Sequence, residues 1–549
     1  MRRFITLLPF LFLAMNSTTT FAFEGDGGTI SQDEVNKFLN GLSRGSLETF
    51  RDNPTSPAIW VESVQLEALI EMYKASLDRR LLDELVYRFD FLLEHTSEKL
   101  EIRDVLKNKP LPAWGTTGYS CGQYFIHAVH TGMLTYPMAM FSRIVFENTD
   151  LRDQYEQKAE NYMQAIRKAL AIYKKDYKTK NSSGSYYIWP SNASKLGKCD
   201  HDEDGNMDKD FAKLAKTPLP FNMILAMGRT HIAFAKALEA KSTNEFRDEA
   251  LDHLDIAKKL AHYFKSNLTT ITKTDSYFWR YQENGRKEDT SHGTISVRFA
   301  ALAFREKVYF TKTDMLRFAN TFLKIIAAKP AQVRSHLDGT IPKKIDQPSY
   351  QKAATKWADL TQFNRRVYFV IRDIYLNKDG ENLLGQAFLA KWKPNDHAYP
   401  ITASDFSAQL PAFNPTGSIS LTGKTGLYMT PDMNSSKIAK TLVTSCVKYK
   451  FGQQLSNNII ISYRHTADPI NGDSCQKNHC SESPGIVAFH GLDGKKWTRI
   501  NNVPEPLKEK FKSFTLKVPN KYLYIAVCRG AGGHAKNNIQ ISGIFSMED

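Results

Sequence analysis

The sequence predicts two parts: an α-helical domain of antiparallel hairpins arranged as an α/α toroid, then a disulfide-stapled β-sandwich or jelly roll. Three observations carry this. Apolar residues recur with a period near 3.6 from about residue 31 to residue 395. After Pro400 the texture changes to short alternating runs punctuated by Gly, Asn, Asp and Pro. Four of the six cysteines, Cys446, Cys475, Cys480 and Cys528, fall in that last stretch.

The first residues set the compartment. Arg2 and Arg3 are basic, Phe4 to Met15 is almost wholly apolar, and Thr20-Phe21-Ala22 places small residues where a signal peptidase reads. Residues 1–22 are therefore expected to be a cleaved signal peptide, and the mature chain to be exported, periplasmic or secreted. The apolar run is shorter than the ~18–20 residues a membrane span needs, and no later run is long enough, so no stable membrane insertion is expected. At 549 residues the chain exceeds one ordinary core. The domains expected are 23–400, helical, and 417–549, β-rich, with a linker at 401–416 carrying Pro411 and Pro415. The formal charge of +15, lower by two once Arg2 and Arg3 leave, is scattered along the chain. Such a charge permits an acidic polysaccharide as partner. No nucleic-acid partner is expected.

In the helical part, Ile59, Val61, Val64, Leu66, Leu69, Ile70 and Tyr73 share helical spacing, and after a break near Asp78 so do Leu81, Leu82, Leu85, Val86, Phe89 and Leu92. Further hairpins are expected from 122–147 with 151–176, 220–240 with 244–266, and 291–307 with 312–328, and a last helix from 359–376. An α-solenoid would show a fixed sequence period, and none is found. The long connectors Leu111–Tyr119, Ser182–Pro190, Lys273–Gly285 and Ala328–Pro348 favour the toroid. Beyond the linker, strands are expected at Ser418–Thr422, Thr441–Lys448, Asn458–Tyr463, Ile486–His490, Ser513–Val518, Tyr522–Cys528 and Asn538–Ile544.

An even number of cysteines in an exported chain points to disulfides. Cys475–Cys480 would close a small loop and Cys446–Cys528 would tie two strands. Cys121–Cys199 follows only by elimination, and the sequence leaves the pairing open. There is no CxxC pair, so a cysteine zinc site is not expected.

The richest segment runs from Tyr277-Phe278-Trp279-Arg280-Tyr281 to Glu288-Asp289-Thr290-Ser291-His292-Gly293. Asp289 or Ser291 is a suitable N-cap for the helix that follows, which puts His292 in its first turn. There the helix dipole disfavours a protonated imidazole, and a neutral histidine serves as a base. Trp279 and Tyr281 have apolar faces on which sugar rings stack. A second group is Trp114 to Tyr119 with His127 and His130, which share a helix face at i,i+3 spacing. As a metal pair the two histidines lack a third ligand nearby, so they read either as lining of a polar cleft or as packing.

The helical hairpins over residues 57–376, the Trp279-Arg280-Tyr281 loop and the Glu288-to-His292 helix start together resemble the α/α-toroid carbohydrate-active enzymes: alginate- and heparin-lyase-like proteins, glucuronyl epimerases and related hydrolases. The resemblance implies an Asn, a His, a Tyr and an Arg in a cleft at one end of the toroid. Asn222, His292, Tyr281 or Tyr119, and Arg280 or Arg229 are the matching positions. The chain departs from the paired Asn-Asn-His element of several lyase families, since Met223 follows Asn222. The implied chemistry is β-elimination on a uronate. A hydrolase, the first alternative, needs two carboxylates across the bond. Glu288 and Asp289 are adjacent, so a partner such as Glu62 or Asp275 would be required. The second alternative is a non-catalytic secreted glycan-binding or adhesion protein.

Asp200, Asp202, Asp204, Asn206 and Asp208, with Gly205 between them, follow the calcium-loop spacing of EF-hands, although Phe211 stands where the last carboxylate is usual. A structural calcium ion is expected there. The final strands resemble those of discoidin-like or carbohydrate-binding sandwiches. No Gly-x-x-x-x-Gly-Lys-Ser/Thr phosphate loop and no His-Glu-x-x-His occurs, which argues against NTPase and common metalloprotease chemistry.

Overall fold

The structure is a computed structural model that describes residues 30–180, 184–200, 209–241, 244–327, 333–340, 347–376 and 380–393, and the backbone of the strands between Ile419 and Met547. The signal peptide, the linker, Cys475, Cys480 and the calcium-loop residues Asp202, Asp204, Asn206 and Asp208 lie outside the described residues.

Side-chain caps set several of the helix starts. α1 (Gln32–Gly41) begins at a reciprocal capping box of Ser31 and Glu34, and α2 (Gly45–Asp52) follows. α3 (Ala58–Ser76) and α4 (Arg80–Glu94) form the first expected hairpin, with left-handed Leu77 ending α3 next to the anticipated break. α5 (Ala128–Glu147) with α6 (Thr149–Ala171), and α7 (Phe221–Ala240) with α8 (Arg247–Ser266), are the next two. α9 (Thr290–Arg305) starts at Asp289, and α10 (Lys312–Asn320) at a capping box of Thr311 and Asp314 before continuing into a π-helical turn, Thr321–Ile326. The expected single helix over 359–376 is divided. A 3-10 stretch, Thr355–Gln362, follows α11 (Gln347–Ala354), and α12 (Arg366–Leu376) starts afresh. Asn364 lies at the break and accepts the Arg366 N–H at 3.1 Å, a side-chain bond that competes with a continuous helix. α13 (Leu383–Lys391) ends the helical part.

Short strand pairs brace the loops that lead into the inner helices. β1 (Tyr177–Thr179) pairs with β2 (Ser185–Tyr187), β3 (Lys198–Cys199) with β4 (Lys209–Asp210), and β5 (Thr269–Ile271) with β6 (Ser276–Phe278). Cys121 and Cys199 are joined in a disulfide, Cα atoms 5.5 Å apart, the pairing the sequence reached only by elimination. It ties the Tyr119 loop to β3.

All seven expected C-terminal strands are present: β7 (Ile419–Thr422), then β8 (Gly426–Met429) as an addition, β9 (Val443–Leu455), β10 (Asn458–Ala467), β11 (Ile486–Gly491), then β12 (Thr498–Ile500) as a second addition, β13 (Lys512–Lys517), β14 (Tyr522–Gly530) and β15 (Asn537–Met547). They form two antiparallel sheets, ordered β13-β10-β15-β8-β7 and β12-β11-β14-β9. Cys446 of β9 and Cys528 of β14 stand directly opposite in the register.

The helices pack in a closed succession: α3 against α5, α5 against α7, α7 against α9, α9 against Thr355–Gln362, that stretch against α13, and α13 back against α3. α4, α6, α8 and α10 each pack on the inner helix of their own hairpin. α5 and α7 run parallel and touch closely. A Cβ on Gly132 would lie 2.5 Å from the Ala226 carbonyl carbon, and Thr135 and Thr230 bond hydroxyl to hydroxyl at 3.0 Å one turn further on.

Between α7 and α8, His231 Nδ1 meets His253 Nδ1 at 2.6 Å, and the Tyr187 hydroxyl meets His231 Nε2 at 2.8 Å. One ring donates and the other accepts, an arrangement that two neutral imidazoles satisfy. Burial pushes His253 down to about 4, and pushes His231 well below its ordinary value. Both folded-state values lie below the unfolded ~6.5, so this contribution to stability is full above pH ~6.5 and is lost as pH falls towards 4. Thermal unfolding of His253→Gln is expected to lose less stability than wild type over that window, by about 2 kcal/mol after discounting for partial exposure. Parallel pH profiles for the two would contradict it.

Candidate active site

The first turns of the parallel inner helices meet at one end of the closed succession, and the residues they carry fall into layers. Trp60, His127, His130, Asn222, Asp289 and His292 all sit at or next to the N-termini of α3, α5, α7 and α9. Below them Val129, Met133, Ala226 and Ile295 form an apolar floor, with Trp60 and Met223 against it. The third turns carry charge. Glu67 of α3 accepts from both Arg229 of α7 and Arg298 of α9, and the Arg229 guanidinium lies 3.8 Å over the ring of Tyr136 of α5. Deeper still, Lys391 of α13 donates to Glu71 at 2.7 Å and to Asp359 at 3.3 Å. Glu71 is disfavoured by burial, yet Lys391 and Lys74 hold its pKa down at about 2.

At the rim, Asp289 has two tasks. Its Oδ1 caps α9 by accepting the N–H groups of Ser291 and His292 at 2.9 Å each, and its Oδ2 meets His292 Nδ1 at 2.5 Å. Burial works against this carboxylate, but the hydrogen bonds and charge of His292 outweigh it and keep it below the usual carboxylate range. The contact fixes the His292 ring with Nδ1 towards Asp289. Its side chain is 35% exposed. The Tyr281 ring stands edge-on to it, centroids 5.1 Å apart. Tyr281 is held by main-chain bonds at 2.9 Å, one from the Phe221 N–H to its carbonyl and one from its N–H to the Arg286 carbonyl. The first of these fastens the α7 start, and with it Asn222, to the Tyr281 loop. Burial, reinforced by Glu288, raises the Tyr281 phenol well above its ordinary value and keeps it protonated.

On the neighbouring helix start, the rings of His127 and His130 lie 5.3 Å apart, with Tyr119 edge-on to both and Trp60 5.7 Å from His130. Burial pushes His130 down to about 4 and His127 well below its ordinary value, so both are neutral. His127 Nε2, His130 Nδ1 and Asn222 Oδ1 are buried without a hydrogen-bond partner. A pocket lined in part by Phe125, His127, Trp189 and Met223 opens beside them. Lys209 donates to the Tyr119 carbonyl at 2.8 Å, a second tie on that loop.

The structure thus brings His292, Asp289 and Tyr281 together, and sets Asn222, His127, His130 and Tyr119 around the same end. Other expected positions serve packing. Trp279 is buried edge-on to Phe264 and Phe318, and Trp114 is buried with its indole N–H on the Leu92 carbonyl, so neither presents a face to a sugar. Arg229 is consumed by Glu67, beneath the apolar floor. Arg280 closes its own turn onto the Gly285 carbonyl at 2.9 Å. The arginine beside the site is Arg286, 4.5 Å over the Tyr281 ring. Glu62 is bound by Arg88 at 2.9 Å and Ser46 at 2.6 Å, and Asp275 by Arg317 at 2.9 Å, which leaves a hydrolase without its second carboxylate from either position. Asp200 is half-buried at the end of the described part of its loop. Trp60 and Arg286 went unread in the sequence. Arg286 could have been found by its place on the turn after Trp279-Arg280-Tyr281, whereas Trp60 carried no local signal.

In comparisons with known proteins, no family model matches the chain and no curated protein matches it.

Proposed function

We propose that the closed succession of hairpins is an α/α toroid followed by a β-sandwich, and that the protein is an exported lyase cleaving an acidic, uronate-containing polysaccharide by β-elimination. The observation that carries the reading is the Asp289–His292–Tyr281 arrangement: an imidazole oriented by a carboxylate beside a phenol held protonated. His292 Nε2 takes the proton α to the uronate carboxylate. That electron pair forms the carbon–carbon double bond, and the glycosidic oxygen leaves with the proton of Tyr281. Asn222 and Arg286 neutralise the carboxylate, and the converging helix N-termini, each worth roughly half a positive charge, favour an anion at the same place. A structural calcium ion on the 200–208 segment belongs to the same reading, as a tie on the loop that leads into α7.

The test is ultraviolet absorbance of the unsaturated uronate, followed on a panel of acidic polysaccharides with purified protein stripped in chelator, with and without calcium added back. Absorbance rising on at least one uronate polymer is expected. A flat trace on every polymer would overturn the lyase, and a search for released reducing ends would then decide between a hydrolase and a binding protein.

A further inference from the structure

We propose that Glu288, Asp289 and His292 form a binding site for one divalent transition-metal ion. Each offers a donor atom, and the three donors lie within 4.8 Å of one another. Donors on one tetrahedral zinc ion at about 2.0–2.2 Å lie roughly 3.3–3.6 Å apart, so the three side chains have to draw together by up to about 1.5 Å on binding. One nitrogen and two carboxylate oxygens are a set that suits zinc and its neighbours better than calcium or magnesium, which take oxygen ligands.

Glu288 points to a ligand independently. It is fully buried, and its Oε1 accepts the Asp289 N–H at 3.1 Å. Its Oε2 is also buried and has no hydrogen-bond partner. Among the described residues no lysine or arginine forms an ion pair with Glu288 or Asp289. The sealed Glu288 oxygen thus stands without a partner beside a second carboxyl group, and a divalent cation supplies one. The surroundings are built to hold donors still. Asp289 Oδ1 is fixed by two backbone N–H groups, and the Glu288 carbonyl accepts the Leu337 N–H at 3.1 Å. The partly exposed His292 leaves an approach from solvent and room for a water ligand.

The ion would take the place of the proton between His292 Nδ1 and Asp289 Oδ2 and bind both atoms. The imidazole's single proton then moves to Nε2, which can no longer accept one. Resting on the base role given to His292 above, metal occupancy and proton abstraction exclude each other, and zinc acts as an inhibitor rather than a cofactor.

The experiment uses the full chain, stripped with chelator and freed of it, titrated with zinc chloride by calorimetry and with cobalt(II) by visible absorption. Wild type is expected to bind one more zinc equivalent than His292→Ala. Glu288→Gln is expected to weaken that equivalent roughly 10- to 100-fold. Circular dichroism checks that both variants fold. Cobalt should give ligand-field bands in wild type that His292→Ala lacks. Equal stoichiometry and affinity in all three proteins would overturn the site, and so would calcium binding alone, unaffected by either substitution. The two readings fail separately. Zinc binding without elimination, with or without calcium, sinks the lyase and keeps the metal site, while elimination that zinc leaves untouched sinks the metal site and keeps the lyase.

Discussion

His292→Ala is expected to lower kcat on a cleaved polysaccharide by roughly 100- to 10,000-fold, the usual worth of a positioned general base, with little change in KM. The imidazole is on the rim and partly exposed, so its loss leaves the floor of the site intact. Asp289→Asn separates the two tasks of its residue. Asparagine caps a helix as well as aspartate does, so α9 keeps its start. The charge that orients and supports the imidazole is gone, and kcat should fall in the same direction, by roughly 100-fold. Tyr281→Phe removes the acid and should slow substrates with poor leaving groups most. Steady-state kinetics on one uronate polymer reads all three. Full kcat in His292→Ala would remove this residue as the base and move attention to His127 and His130.

The largest expected effect on stability lies beneath the site. Glu67 is the anion that accepts from both Arg229 and Arg298, and it is 1% exposed. Glu67→Gln keeps the shape and leaves two buried guanidinium groups short of one negative charge. Removing one partner of such a buried pair costs about 3–5 kcal/mol. Chemical denaturation followed by far-ultraviolet circular dichroism should show the helical transition moved by that amount. A change under about 1 kcal/mol would mean that Glu71 and Asp359, one layer down, already balance the two arginines.

These two predictions differ in how readable their residues are from sequence. Asp289 and His292 lie three residues apart, and a cap with a first-turn side chain is local geometry. The hairpins and the seven C-terminal strands are equally local, since the period of apolar residues is fixed by the backbone of each element. The 359–376 segment departs from expectation because Asn364 offers a competing bond that periodicity does not register. α3 shows the limit more sharply. Val61 fits its apolar stripe yet is 55% exposed, while Glu62, Glu67 and Glu71 are buried. A charged residue looks the same in sequence whether it faces water or a partner from a distant helix. Glu67 meets partners 162 and 231 residues away.

The same reason separates Tyr281 from Trp279 and Arg286 from Arg280. Within one short loop, the aromatic that reaches the site and the one that fills the core differ only in which way the packed helices turn them. Residue order was enough to place the helices, the strands and the aspartate–histidine contact, because caps, periods and i,i+3 neighbours act within a few residues. Which helix starts gather around that contact, which tryptophans are sealed away and which carboxylates are answered by arginines was settled by the closing of α13 back onto α3. That closure brings residues hundreds of positions apart into one desolvated interior, where Glu67 and Glu71 are answered by cations from distant helices.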